Sequence, residues 1–477
     1  MSIERQAISG LKWTGATRLI GQALGWAVTL IVVRLLAPAD YGIAAVSTVI
    51  ISVFSTVAEL GLGASLIQAP SLARETLARA AGLALVLNIG LGAVVVLSAP
   101  LAGAFFGDDV LRRVIQVSAL HFGLAALSIV PEALAYRGMN FKWTAFIDLV
   151  SGLVASLATL LLALQGAGVW ALVLGSLAGA SVRSALFLRG HPVRPVFRFG
   201  GLRRHLAFGG ALATGRLAWQ VVNQSDVLTA GRFLTPNAVG LYSVSLHLAT
   251  LPMQRIMGIV NQVVFPTVAR LQEDRPRLRE RLLFGLRLLG FVSVPVMWGI
   301  AAVAPDLVAL VLGPRWHDAV YPLQVTSLLI PFKMASAVIS TAIVGVGAAT
   351  LDLRNTLVNI VVLPIAFLIG VQWGVDGLAT AWALALVIVL VLTVPRSCAR
   401  LEIPPLDVAR TLRDPLLAGG VMYALVIAAR AALAGVPGLY RLPALILVGG
   451  AVYLPLVSLL NRAIWTDLRR LLAASRA

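Results

Sequence analysis

Cysteine is almost missing from this chain: Cys398 is the only one in 477 residues. One thiol excludes a disulfide framework and any cysteine-built metal site. Charge is short as well, at 12% Asp, Glu, Lys and Arg, where a soluble domain carries about 25%. Within that small share the acidic residues are scarcer, 20 against 38 basic. No Walker A sequence occurs, which argues against ATP hydrolysis by this chain. The first ten residues hold Arg5 but no cleavable-looking signal, and no A-x-A-like site follows the first apolar run. That run is expected to stay as a helix.

What is present in excess is apolar. Hydrophobic residues make up 59% of the chain, and the mean hydropathy is +0.93. A soluble chain of this length would need two or three domains with polar surfaces, and too little polar sequence exists to cover them. Lipid must be the outer solvent. The net charge of +18 and pI near 11.4 would suggest nucleic acid in a soluble protein. Here the arginines sit between apolar runs and no aromatic platforms interleave with them, so no nucleic-acid partner is expected. They read as positive-inside bias and contacts to anionic lipid headgroups.

A bilayer crossing needs about 20 apolar residues. Runs of that kind fall at 11–36, 42–68, 81–103, 113–135, 143–164, 168–188, 206–230, 238–265, 283–304, 319–346, 355–373, 376–395, 413–430 and 441–461. The expected fold is therefore all-α, a polytopic membrane protein of about fourteen helices. Residues 305–313 are apolar but too short to cross, and suit an interfacial position. Alternate connections carry the basic residues: Arg74 and Arg79; Arg137 and Lys142; Arg189 to Arg204; Arg270 to Arg281; Arg354; Arg396 to Arg413; and the tail from Arg462. The others are short and hold Asp40, Asp108, Asp109, Asp318 and Asp376, with Arg112, Arg113, Arg315, Arg430 and Arg441 as exceptions. Both termini are thus expected in the cytoplasm.

A repeat divides the chain. Shifted by about 198 residues, Arg18-Leu-Ile-Gly-Gln22 falls on Arg216-Leu-Ala-Trp-Gln220, and Arg34, Pro38 and Gly42 fall on Arg232, Pro236 and Gly240. Six runs separate the copies, so each half enters the membrane from the same side. That implies a parallel repeat about an axis along the membrane normal, with substrate between the halves. The expected organisation is a six-helix lobe over 1–188, a basic linker over 189–205, a second six-helix lobe over 206–395, and two extra helices with a basic tail over 396–477.

Four segments punctuate this pattern: Arg-Leu-Leu-Ala-Pro-Ala-Asp-Tyr-Gly (34–42), Glu-Leu-Gly-Leu-Gly (59–63), Tyr-Arg-Gly-Met-Asn-Phe-Lys (136–142) and Gly-Ala-Gly-Val-Trp-Ala-Leu-Val (166–173). Together they resemble bacterial Wzx-type polysaccharide exporters of the multidrug/oligosaccharidyl-lipid/polysaccharide superfamily. The resemblance covers the first twelve runs. It implies a flippase, not an enzyme, that carries undecaprenyl-pyrophosphate-linked oligosaccharides from the cytoplasmic to the outer leaflet of the bacterial inner membrane by alternating access. Products in that family are O-antigen, capsule or exopolysaccharide, and a polymerase machinery is an implied partner. Lipid II export shares the superfamily and an anionic substrate, and stays open. A drug antiporter fits less well, because the intramembrane charges here are positive. A membrane polymerase or glycosyltransferase would want a long outer loop or an Asp-x-Asp-like cluster, and the sequence has neither.

Such a substrate needs a hydrated cavity, and its pyrophosphate suits arginine, whose planar fork of donors matches phosphate oxygens. A guanidinium within a span costs several kcal/mol against lipid, so it faces a cavity or snorkels to the headgroups. Arg18 with Gln22, and Arg216 with Gln220 and Asn223, form matched polar stripes on the first span of each half. These are the first candidates for the substrate cavity, and Arg255 and Lys333 are the next. Asp148 and Asp226 are candidates for coupling to a proton or sodium ion, against a structural ion pair as the plainer reading. Ser243, His247, Gln254 and Asn261 form a further stripe that packing explains as well as transport does. Pro295 and Pro331 are candidate kinks. No catalytic residue, resident metal or cofactor is expected.

Overall fold

The structure, a computed structural model, describes residues 25, 28–59, 62–69, 73–198, 217, 219–272 and 274–461. Among these the secondary structure is helical throughout. The helices are α1 (Pro38–Glu59), α2 (Leu62–Gln68), α3 (Arg74–Phe106), α4 (Asp109–Ser118), α5 (Leu120–Arg137), α6 (Phe141–Leu164), α7 (Val169–Gly190), α8 (Ser225–Phe233), α9 (Pro236–Arg270) and α10 (Arg275–Leu307). They continue as α11 (Val320–Gly345), α12 (Ala349–Gly370), α13 (Gly374–Leu401), α14 (Pro405–Ala432) and α15 (Gly438–Leu460). Helix is what hydrocarbon demands, because each backbone N–H and C=O must find its partner inside the segment.

Among the described residues, ten stretches are long and apolar enough to cross a bilayer. One of them, Ala349–Leu401, holds both α12 and α13. The first expected span lies largely outside the described residues, the seventh is described only at 217 and from 219 onward, and the eighth lies in α9. Large side chains such as Leu97, Leu101 and Leu447 are about three-quarters exposed, as suits a surface that meets lipid.

One expected boundary changes, at 305–313. The run at 42–68 is described as helix over Pro38–Glu59 and Leu62–Gln68, and residues 60 and 61 lie outside the described residues. Residues 305–313 are not a separate interfacial piece: α10 runs to Leu307 and continues as a π-helical turn over Val308–Leu312. Apolarity alone could not show that 305–313 continues α10, because a helix and a helix end bury the same residue types.

The chain divides into two compact units, 1–240 and 241–477. In the first, α6 and α7 pack closely. Gly175 and Gly179, one turn apart on α7, meet Thr159 and Ala155 of α6, and a Cβ at Gly179 would lie 2.6 Å from that of Ala155. Small residues at this spacing let two helix backbones approach where lipid offers no hydrophobic drive. The punctuating motifs do related work. The Asp40 carboxylate accepts the Ala37 N–H at 3.0 Å at the start of α1, and Gly168 comes against that same carboxylate, with a φ of 57°. Arg137 donates to the carbonyls of Leu66, Ile67 and Ala69 at the end of α2. Asn140 caps α6 by accepting the Trp143 N–H at 3.3 Å.

In the second unit, α10 is the hub, packed against α11, α14 and α15. A core of Ala302, Val303, Ala418, Met422, Leu445 and Tyr453 joins α10 to the two helices beyond the repeat. Asp306 is buried there and takes both Arg430 Nε at 2.7 Å and Arg441 Nε at 2.6 Å. Two of the arginines that break the charge alternation are thus held by a buried carboxylate.

Candidate functional site

The first unit encloses a cavity of about 500 Å³. One wall is a face of α1 that repeats at helical spacing: Ser47, Thr48, Ile51, Ser52, Ser55 and Thr56. Ser118 at the end of α4, His121 at the start of α5, Leu172, Val173 and Ser176 on α7, and Gln220 close it. Seven hydroxyls face one space inside apolar helices. Hydroxyls turned to lipid would be desolvated, so a face of this kind belongs against protein or water.

The hydrogen bonds set what the wall offers. Ser52 donates to the Val49 carbonyl at 2.8 Å, Thr56 to Ser52 at 2.9 Å and Ser176 to Val173 at 2.8 Å. These three hydroxyls spend their protons on their own helices, which leaves their oxygen lone pairs as acceptors. Ser47 donates to Ser118 Oγ at 3.4 Å. Gln220 Nε2 donates to Ser52 Oγ at 3.0 Å, joining two segments 168 positions apart. No Asp, Glu, Lys or Arg is among the lining residues described.

Of the described residues singled out from the sequence, Gln220 is the one that lines this cavity. Arg18, Gln22 and Arg216 lie outside the described residues. Asn223 donates to the Trp219 carbonyl of its own helix at 2.9 Å. Asp226 is buried and accepts the Val227 N–H at 2.8 Å. Asp148 pairs with Arg183, whose other amine binds Glu132 at 2.7 Å, and the same guanidinium lies 5.0 Å from the Phe187 ring. In the second unit, Lys333 Nζ stands 3.7 Å from the Trp382 ring centroid, a cation–π contact. The Trp382 indole donates to the Tyr242 hydroxyl at 3.0 Å. Arg255 is exposed on α9. Ser243, His247 and Gln254 share α9 with it, while the Asn261 side chain is outside the described set.

The serine and threonine face of α1 is not among the candidates expected from the sequence, which rest on charge. Its signal is there, as Thr48, Ser52, Ser55 and Thr56 recur at three- and four-residue steps.

Comparison with known proteins adds the context. A family described as polysaccharide biosynthesis protein matches residues 31–321, more than half of the chain. The lipopolysaccharide biosynthesis protein WzxC of Escherichia coli (strain K12) is 25% identical over 82% of this chain and 81% of its own length. The succinoglycan biosynthesis transport protein ExoT of Rhizobium meliloti (strain 1021) is 26% identical over 72% and 75%. The teichuronic acid biosynthesis protein TuaB of Bacillus subtilis (strain 168) is 23% identical over 82% and 81%. Among solved structures, the lipid II flippase MurJ in an inward closed conformation matches with a TM-score of 0.72 at 15% identity, covering 93% of this chain and 98% of that one. A multidrug resistance MATE family transporter in an inward-facing conformation matches with a TM-score of 0.61 at 15% identity, over 79% and 95%. These two likenesses are of fold.

Proposed function

Because the chain belongs to the polysaccharide biosynthesis protein family, we propose that it is a flippase for a prenyl-pyrophosphate-linked oligosaccharide. It moves the saccharide from the cytoplasmic to the outer leaflet of a bacterial cytoplasmic membrane, with both termini on the cytoplasmic side. It is a transporter, in line with the name of the succinoglycan relative, and forms no bonds in its substrate. The observation that carries the reading is a hydroxyl-lined cavity within membrane helices of a family member. A saccharide cannot cross about 30 Å of hydrocarbon bare, and this wall replaces water for sugar hydroxyls. Arg18 and Arg216 bind the pyrophosphate, a role supported by their matched register in the repeat and by the fit of guanidinium to phosphate. Coupling to a proton or sodium ion through Asp148 or Asp226, and hand-over to a polymerase machinery, complete the proposal. The fold likeness to MurJ, at 15% identity, gives lipid II no special claim as substrate.

The test is export. In a strain deleted for its own exporter, the chain should restore surface polysaccharide and relieve the build-up of lipid-linked oligosaccharide in the inner leaflet. Persistent build-up with the protein correctly inserted overturns the proposal.

A further inference from the structure

Two of the arginines that break the charge alternation, Arg430 and Arg441, meet at a single carboxylate. Arg430 lies in the last turn of α14 and Arg441 in the first turn of α15. Both donate to Asp306, next to the end of α10. The Asp306 side chain is fully buried, while those of Arg430 and Arg441 stay 38% and 22% exposed. Two guanidiniums against one carboxylate leave the triad one positive charge in excess. Among the described residues, no other carboxylate pairs with either arginine. The carboxylates of this unit outside them are Glu273, before the start of α10, and Asp467, past the end of α15. The triad sits at the opposite ends of those two helices, about 45 and 30 Å of helix away at 1.5 Å per residue.

We propose that this excess charge is a headgroup site for an anionic phospholipid, phosphatidylglycerol, whose phosphate closes the triad. The donors are in place. Arg430 gives its Nε to Asp306 at 2.7 Å, and its two amino groups remain for a phosphate, which a guanidinium fork matches. Arg441 spends its Nε and one amine on Asp306 and the other amine on the Ala434 carbonyl at 3.4 Å. It holds the carboxylate, and Arg430 meets the ligand. The surround is apolar. The connection between α14 and α15 reads Leu-Ala-Gly-Val-Pro over 433–437. Ile427, one turn inward from Arg430, is exposed, as are Leu439, Tyr440 and Leu447 on α15. Acyl chains cover such faces, and a tyrosine ring suits headgroup depth. A lipid phosphate is then the nearest anion to the guanidinium, and basic pockets between membrane helices take such headgroups. The single negative charge of phosphatidylglycerol cancels the excess. Phosphatidylethanolamine would bring an ammonium that restores it. In the orientation proposed above the site opens to the outer leaflet, where the positive-inside bias leaves arginine scarce.

Native mass spectrometry of the full chain tests this, in detergent with equal phosphatidylglycerol and phosphatidylethanolamine. The wild type should keep phosphatidylglycerol at collision energies that strip the ethanolamine lipid. Arg430→Gln, which leaves the Asp306–Arg441 pair balanced, should retain it several-fold less. Arg430→Lys keeps the charge, loses the fork and should fall between the two. A wild type with no preference for phosphatidylglycerol overturns the inference, and that comparison needs no variant to fold. Equal retention by Arg430→Gln overturns it as well, because the lipid then sits elsewhere. Competition decides the source of the phosphate. Short-chain phosphatidylglycerol should displace the bound lipid. Displacement by inorganic phosphate or geranyl pyrophosphate instead would give the triad to a free anion or to the prenyl carrier, and overturn the phospholipid site.

Discussion

Gly42 and Gly240 occupy the same place in the two copies of the repeat and meet through equivalent atoms. A Cβ on Gly42 would lie 1.9 Å from the Pro236 carbonyl oxygen, and one on Gly240 would lie 1.7 Å from that of Pro38. Pro38 and Pro236 are themselves repeat mates. Each copy thus offers its glycine to the other's proline carbonyl, a reciprocal approach that only a missing side chain permits. The neighbours are backbone, so they cannot swing aside as a side chain would. Gly42→Ala and Gly240→Ala should each lower the thermal midpoint in detergent by several degrees, an overpacking cost of about 1–3 kcal/mol. Gly152→Ala, which meets nothing within 4 Å, should leave it unmoved. Equal midpoints for all three would deny the close contact.

Arg137 ties the turn after α5 to the end of α2, where it donates to the carbonyls of Leu66 and Ile67 at 3.2 and 3.4 Å and also to Ala69. Arg137→Ala leaves those end-of-helix carbonyls without their donor, at a cost of about 1–3 kcal/mol if they stay dry. Arg137→Lys should recover part of it, since one ammonium cannot reach all three. Limited proteolysis near residues 66–72 is the measurement, with Ala cut fastest and Lys intermediate.

Asp306 is fully buried at its side chain and pairs with two partly buried arginines. Asp306→Asn should destabilise the packing of α14 and α15 on α10 by about 3–5 kcal/mol, the usual cost of breaking a buried pair. The triple variant with Arg430→Gln and Arg441→Gln should regain much of the loss, because no unpaired charge remains. A triple variant as unstable as Asp306→Asn in a thermal-shift assay would count against the ion triad.

Arg18→Gln and Arg216→Gln should each abolish polysaccharide export at unchanged protein level. Arg18→Lys and Arg216→Lys should retain a fraction, as a point charge replaces a bidentate fork. Normal export by the double Gln variant would reduce both arginines to headgroup anchors. The pyrophosphate site would then be sought at Arg255 and Lys333.

A reporter enzyme fused after Ala477 should be active in the cytoplasm, as the alternating basic loops require. Periplasmic activity there would break the orientation.

Composition and period alone determined the membrane class and the helical architecture. Those features answer to hydrocarbon, which acts on each segment separately and leaves its mark in local runs of apolar residues. The repeat was legible too, because Arg, Gln, Pro and Gly hold their register through drift in Leu and Ala. The cavity was not. Ser52 and Gln220 are 168 positions apart, and a serine at helical spacing reads the same whether it packs against a neighbour or lines a space. Only the tertiary structure brought that face of α1 opposite Ser118, His121 and Ser176. The same holds for Arg430 and Arg441, which look like misplaced loop charges until folding buries Asp306 beside them. Long-range polar pairing depends on which helices meet, and lipid, acting alike on every apolar face, leaves that choice to packing.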